Sequence, residues 1–272
     1  MDFEITDILV RLFLGLLIGF CIGLTGVGGG VLVMPALTVL LKMPAAQAVA
    51  TASLYAFLTK VDATYHHIKL KTIEFRTGIP FLIGAVPGNI AAALLVRRYA
   101  SDSLNAEVFQ NNLRLFIAWI ILLSAVIIAV GLLKKDDHNG ARLAEKISAR
   151  PTLRNALAIL LGGGIGALVG ATSIGGGSLV IPLLIIIFGL SASHTVGTSI
   201  LIAVVLTAVS SVVYGGGGFI DYPTAIVMSV GSIGGVPLGS KLSTRLPERP
   251  LKIIVVCIMI LSGIVLLLKQ GH

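Results

Sequence analysis

A chain of 272 residues that is 56% hydrophobic and 12% charged, with a mean hydropathy of +1.01, carries more apolar surface than a water-soluble domain can bury. Lipid is therefore the solvent for most of it. The formal charge of +8 gathers in short stretches between charge-free runs, which fits loops facing anionic lipid and argues against a nucleic-acid-binding module.

The chain opens on the acidic MDFEITD and passes at once into an apolar run. A cleaved leader calls for a basic start and a small-residue cleavage site, so this first segment is expected to be retained. Residues 12–41, 78–96, 115–133, 155–220 and 253–268 contain no Asp, Glu, Lys or Arg. About 20 apolar residues span a bilayer as a helix, and these runs lack the alternation of barrel strands. The pattern predicts an all-α polytopic membrane protein. The expected helical pieces are 8–24, a short 31–41, 44–59, 78–96 and 113–133. After the hydrophilic stretch KKDDHNGARLAEKISARPTLR come 156–172, 178–190, 193–213, 223–242 and 251–268. The piece 31–41 would rise only about 16 Å, roughly half of a ~30 Å hydrocarbon core. It is either a re-entrant half-helix or a short piece at the protein's centre. Cys21 and Cys257 both lie inside apolar runs, form no disulfide framework and read as small core-facing residues.

One offset organises the chain. Adding 147 carries residues 23–37 onto 170–184 without a gap, and 9 of the 15 positions are identical. The same offset takes Gly15 and Gly19 to Gly162 and Gly166, and Val49, Thr51 and Leu54 to Val196, Thr198 and Leu201. It also takes Gly84 and Gly88 to Gly231 and Gly235. The chain thus divides into a membrane repeat over 1–135, a charged cytoplasmic linker over 136–152 and a second membrane repeat over 153–272, with about five helical pieces in each repeat. If each repeat reverses the chain's side, residues 60–76, 134–154 and 241–252 share one side and hold 14 of the 20 Lys/Arg. An even number of crossings splits the same charges 12 to 8 and favours neither side. The positive-inside rule therefore predicts inverted-topology repeats with both termini extracytoplasmic, and glycine-broken or re-entrant short helices meeting near the midplane.

The breaks are TGVGGGVLVMP at 25–35 and TSIGGGSLVIP at 172–182. Each glycine weakens a helix by ~1 kcal/mol relative to alanine, so three in a row should unwind it. Unpaired backbone is tolerated at membrane depth only where protein or a water-filled cavity satisfies it. A half-helix starting after each break would turn its N–H groups and positive dipole end into it, worth about 0.3–2 kcal/mol to an anion. The stripes Gly15, Gly19, Gly23 and Gly162, Gly166, Gly170 read instead as close helix packing. Candidate substrate-binding residues are Thr25, Gly28, Gly29 and Gly30 in the first loop, and Ser173, Gly175, Gly176, Gly177 and Ser178 in the second. Thr51, Ser53, Thr198 and Ser199 either line a polar path or bond back to their own helix. Asn89 is the lone amide of its apolar run, and Val236 stands at its counterpart. His194 opens a segment and reads as an anion contact, a pH-sensitive group or a surface cap. His66 and His67, beside Lys69 and Lys71, read as a solvated loop, and Pro35 and Pro182 as kinks.

No Lys-Ser/Thr pair follows the glycines and no strand precedes them, which removes a phosphate-binding P-loop. Metal-ligand spacing and nucleophile–base pairs are missing, so neither metal nor cofactor is expected and an enzyme is the weaker class. The apolar runs hold no carboxylates on which to build an Asp/Glu proton relay.

The duplicated GLTGVGGGVLVMP and GATSIGGGSLVIP, the following AVATASL and TVGTSIL, and the paired GAVPGNIAAALL and GSIGGVPLGSKL resemble the TauE/SafE family, also called DUF81, over nearly the whole chain. The resemblance implies a multi-pass secondary transporter of the cytoplasmic membrane. Its implied cargo is a small sulfur-containing anion (sulfite, sulfoacetate or a related organosulfonate), carried outward and held between the two glycine loops. Ala50 stands where the second copy has Gly197, so the two half-sites are expected to be unequal. An uptake permease for a similar anion and an ion channel using the loops as a filter are the alternative readings. Expected partners are the small anion and membrane lipid, not nucleic acid. A homodimer and the coupling ion (proton, sodium or none) are left open.

Overall fold

The computed structural model describes residues 5–25, 30–102, 106–133, 147, 150–174, 177, 179–243 and 248–268. Two runs of five helices are described. The first comprises α1 (Ile5–Thr25), α2 (Gly30–Pro35, continued by a π-helical turn at Ala36–Leu40), α3 (Ala45–Lys69), α4 (Phe75–Ala100) and α5 (Ala106–Leu133). The second comprises α6 (Pro151–Thr172), α7 (Val180–Ile186), α8 (Ala192–Gly215), α9 (Tyr222–Ser243) and α10 (Glu248–Leu268). Among the described residues six helices, α1, α4, α5, α6, α8 and α9, are long and apolar enough to cross a membrane. The described residues form helices and no strand, in the pattern of a multi-pass membrane protein.

The glycine stripes show how the repeats interlock. A Cβ added to Gly15, Gly19 or Gly23 of α1 would overlap the backbone of Met228, Ser232 or Val236 in α9. In α6, Gly162, Gly166 and Gly170 stand in the same relation to Phe81, Ala85 and Asn89 of α4. Every partner in one set lies 147 residues from its mate in the other. The contacts are reciprocal, for Gly231 and Gly235 press on Leu12 and Leu16 as Gly84 and Gly88 press on Ile159 and Gly163. The first helix of each repeat thus lies in the fourth helix of the other, with both members running in the same direction. Small residues permit this approach, and van der Waals packing holds it where lipid provides no hydrophobic drive between helices. Contacts between α3 and α8 and between α5 and α10 complete the union.

The centre is built from α2 and the first half of α3. Val31, Val33, Met34 and Leu37 are buried in the one, and Ala45, Ala48, Val49, Ala50 and Ala52 in the other. A helix buried all round is a core helix, and alanine lets its neighbours close in. The outward faces carry Leu9, Phe13 and Leu17 on α1 and Trp119, Leu123 and Val126 on α5, all exposed as lipid contacts would be.

Several elements differ from the sequence reading, among them α5, which starts at Ala106 and not at 113. The helix expected over 44–59 continues to Lys69. Its polar residues end the apolar run without ending the helix, because Thr59 and Thr64 return their hydroxyls to the carbonyls of Tyr55 and Lys60. His66 and His67 therefore belong to the last turns of α3, not to a loop, and Lys60 lies within the helix. The piece expected over 178–190 is regular only at Val180–Ile186, and Gly189, at φ 64°, turns the chain toward α8. Pro35 resolves as the π turn that follows it, in which the Leu41 N–H reaches the Ala36 carbonyl at 3.1 Å.

Candidate functional site

The two glycine segments meet. Gly30, the buried first residue of α2, lies so close to Ser173 that a Cβ there would overlap its carbonyl oxygen. Backbone meets backbone at this point, and only glycine fits. Across the junction Ser173 terminates α6 in the left-handed conformation, φ 56°, with its N–H on the Val169 carbonyl at 2.7 Å. Thr172 stiffens this end by donating to the Leu168 carbonyl at 2.6 Å and accepting from the Ile174 N–H at 3.1 Å. Gly177 is buried, and its carbonyl accepts from the Ile181 N–H at 3.1 Å.

Two donors near this junction are left over. The Ser173 hydroxyl, on a residue 4% exposed, has no partner among the described residues. Asn89 is fully buried on α4. Its Oδ1 accepts from Ser210 Oγ at 3.0 Å, while its Nδ2 is unpartnered among the described residues. Gly170, three residues before Ser173, packs on the Asn89 backbone and accepts the Tyr214 hydroxyl at 2.6 Å. A buried polar group left unsatisfied costs about 1–3 kcal/mol. Each is a buried donor without a partner among the described residues, one on α4 where it crosses Gly170 and one at the end of α6.

The remaining candidates are distributed more widely. Thr51 and Thr198, both buried, accept the Asp221 N–H at 3.1 Å and the Glu74 N–H at 2.9 Å. These bonds are mates under the offset, and they strap the starts of α9 and α4 to the central helices. Ser53 and Ser199 bond back to the carbonyls of Val49 and Val196. His194 Nδ1 lies 2.9 Å from Ser191 Oγ at the start of α8. Thr25 ends α1, and its backbone alone is described. Gly28, Gly29, Gly175, Gly176 and Ser178 lie outside the described residues.

Sequence reasoning missed Ser210 and Tyr214, whose mates under the offset are Ala63 and His67. That mismatch was the available signal. A second polar set also belongs to one half only. Tyr55 donates its hydroxyl to Ser232, which donates to the Gly15 carbonyl at 2.8 Å. The mates of this trio are Ile202, Ala85 and Gly162, so the other half has no such chain.

An apolar crevice of about 390 Å³ runs between α1, α2 and α10, past Leu14, Leu17, Leu32, Pro35 and Leu261. Its lining suits a lipid chain and offers an anion nothing. Among the described residues no three His, Cys, Asp or Glu side chains are grouped as metal ligands.

The family model described as "Sulfite exporter TauE/SafE" matches residues 11–266. The chain is 35% identical over 259 residues to the probable membrane transporter protein YjnA of Bacillus subtilis, covering 94% of this chain and 98% of that protein. It is 27% identical to the probable membrane transporter protein YunE of the same organism, over 93% of this chain and 95% of that one. It is 25% identical to the probable membrane transporter protein MJ0441 of Methanocaldococcus jannaschii, over 98% of both chains. No solved structure matches significantly. With a match spanning nearly its whole length and the duplicated glycine motifs meeting inside its helical core, the chain belongs to the TauE/SafE family of membrane transporters.

Proposed function

We propose that this protein is a secondary transporter of the cytoplasmic membrane that exports small sulfur-containing anions, sulfite, sulfoacetate or related organosulfonates. The anion sits at the junction of the glycine loops. The observation that carries this reading is a pair of buried donors without partners among the described residues, Ser173 Oγ at the Gly30 contact and Asn89 Nδ2 on the residue that packs on Gly170. An oxyanion accepts hydrogen bonds and donates few, so it answers both. No Asp or Glu occurs in residues 75–101 or 155–220, which supply Asn89, Ser173, Ser210 and Tyr214. A cation would find no counter-charge there, which weighs against a cation filter.

In this reading the repeats are inverted in the membrane. Supporting it, Glu74 and Thr72, just beyond the end of α3, meet Thr198 and Gly197 near the start of α8. Thr51, near the start of α3, meets Asp221 beyond the end of α8. The two central helices are antiparallel, while α1 runs with α9 and α6 with α4. This is the relation that lets one repeat rock against the other around a fixed central site. The end of the molecule formed by the starts of α4, α6 and α8 then faces the cytoplasm with most of the Lys and Arg.

Counter-flow in proteoliposomes loaded with sulfite, sulfoacetate, thiosulfate or sulfate tests the reading. Accelerated exchange of sulfite or an organosulfonate is expected, with sodium and potassium fluxes at the level of empty liposomes. Cation flux without anion exchange would overturn it.

A further inference from the structure

Where α4, α6 and α8 begin, a cavity of about 320 Å³ opens among Glu74, Arg76, Thr77, Arg154, Ser191 and His194. That is the share of liquid volume of about ten water molecules, room for a hydrated oxyanion. Two guanidiniums and an imidazole face one carboxylate. No ion pair joins Glu74 to either arginine among the described residues. Among the described residues Arg154 Nε is buried without a partner, and Nη2 reaches Asn155 Oδ1 at 3.4 Å. Its polar lining comes from the caps and first turns of helices of 26, 22 and 24 residues, and Phe188, Gly189 and Leu190 of the turn before α8 close it. Each helix start adds partial positive charge from its N–H groups.

The repeat supplies an internal control. At the opposite end of the molecule the mates of Glu74 and Thr77 are Asp221 and Thr224, chemically the same. Arg76, Arg154 and His194, however, are replaced by Pro223, Asp7 and Gln47. There Asp221 accepts from the Thr224 N–H at 3.1 Å and from its hydroxyl at 2.8 Å, and Arg11 Nε donates to Thr224 Oγ1 at 2.8 Å. At that end Arg11 also lies 3.7 Å from Asp7, so its cation faces a carboxylate, whereas at the cavity end Ser191 and His194 bond each other at 2.9 Å and no ion pair engages Arg76 or Arg154 among the described residues. The fold does not require those cations, since it is built without them at the other end.

We infer that the cavity is a second anion-binding site, for small divalent oxyanions of the sulfate type, at the mouth of the protein and separate from the glycine junction. Arg76 and Arg154 supply the charge, with Ser191, His194 and Thr77 adding shorter-range donors. Glu74 weakens the site and keeps it from trapping its anion. The assignment rests on charge and shape at this end alone and stands whether or not the junction binds substrate.

Binding of radiolabelled sulfate to the full-length protein in nanodiscs of uncharged lipid tests it. Wild type is expected to bind, Arg76→Gln/Arg154→Gln about ten-fold more weakly or worse, and Arg76→Lys/Arg154→Lys nearly as well as wild type. Glu74→Gln is expected to tighten binding about three-fold by removing a like charge. Asn89→Ala, which alters the junction, is expected to leave this binding in place. Undiminished sulfate binding by a folded Arg76→Gln/Arg154→Gln protein overturns the proposal. Should that variant not fold, unchanged or weaker binding by Glu74→Gln overturns it.

Discussion

The starts of α4 and α9 are mates under the 147-residue offset, and each is strapped by its backbone to a threonine of a central helix. Around Asp221 the carboxylate takes the Thr224 hydroxyl, and Arg11 donates to Thr224 and pairs with Asp7 at 3.7 Å. Around Glu74 the corresponding space is a polar cavity edged by Arg76, Arg154 and His194. The same backbone plan therefore serves two chemistries. A duplicated membrane fold fixes where helices cross, through glycine stripes and threonine straps, and leaves the side chains at its ends and centre free to diverge.

That division makes mates a tool, because shared scaffold should respond alike and divergent chemistry should not. The largest effect is expected from Gly19→Leu and Gly166→Leu. Each drives a side chain into the facing backbone, of Ser232 or Ala85. Overpacking of this kind typically costs about 1–3 kcal/mol, and more where backbone cannot retreat. Both variants should lose monodisperse protein in detergent to the same degree, and survival of one alone would break the equivalence of the repeats.

Next in size, Asn89→Asp sets a carboxylate at the proposed anion position and is expected to abolish exchange. Asn89→Ala should slow it about ten-fold or more, by analogy with loss of one preorganised donor. Val236→Ala, at the mate position, should leave exchange near wild type. Equal losses at both positions would remove Asn89 from the site.

Smaller effects separate stability from transport. Thr51→Val and Thr198→Val each remove one strap and leave a backbone N–H unpaired, so each is expected to cost about 1–3 kcal/mol in thermal-unfolding measurements. The pair should agree within about 0.5 kcal/mol. Tyr55→Phe removes a hydrogen bond that its mate Ile202 never makes and is expected to cost about 1 kcal/mol. A larger loss in Tyr55→Phe than in Thr51→Val would mean that the trio on Gly15, not the straps, holds the halves together.

Much of this plan was legible in the amino-acid order. The charge-free runs and the offset located five helical pieces in each repeat, and the glycine spacing picked out the packing stripes. What failed has physical causes. The second half of α3 was read as loop because Lys60, Asp62 and the two histidines end its apolar run, yet a helix held by its neighbours tolerates polar residues that lipid would reject. Arg76 and Arg154 were counted as loop charges, since nothing in their spacing says that three helix starts from separate parts of the chain converge. Asn89 stood out as the lone amide of its run, whereas the mismatch of Ser210 and Tyr214 with Ala63 and His67 gained meaning once α4, α6 and α8 were seen to cross at Gly170.

The central claim is that an oxyanion rests at the glycine junction. The most direct test is a structure of the full chain with selenite, in which anomalous scattering places the selenium. Selenium is expected beside the Gly30–Ser173 contact, within hydrogen-bond reach of Asn89 Nδ2 and Ser173 Oγ. A protein that exchanges selenite in liposomes yet holds none at that junction would contradict it.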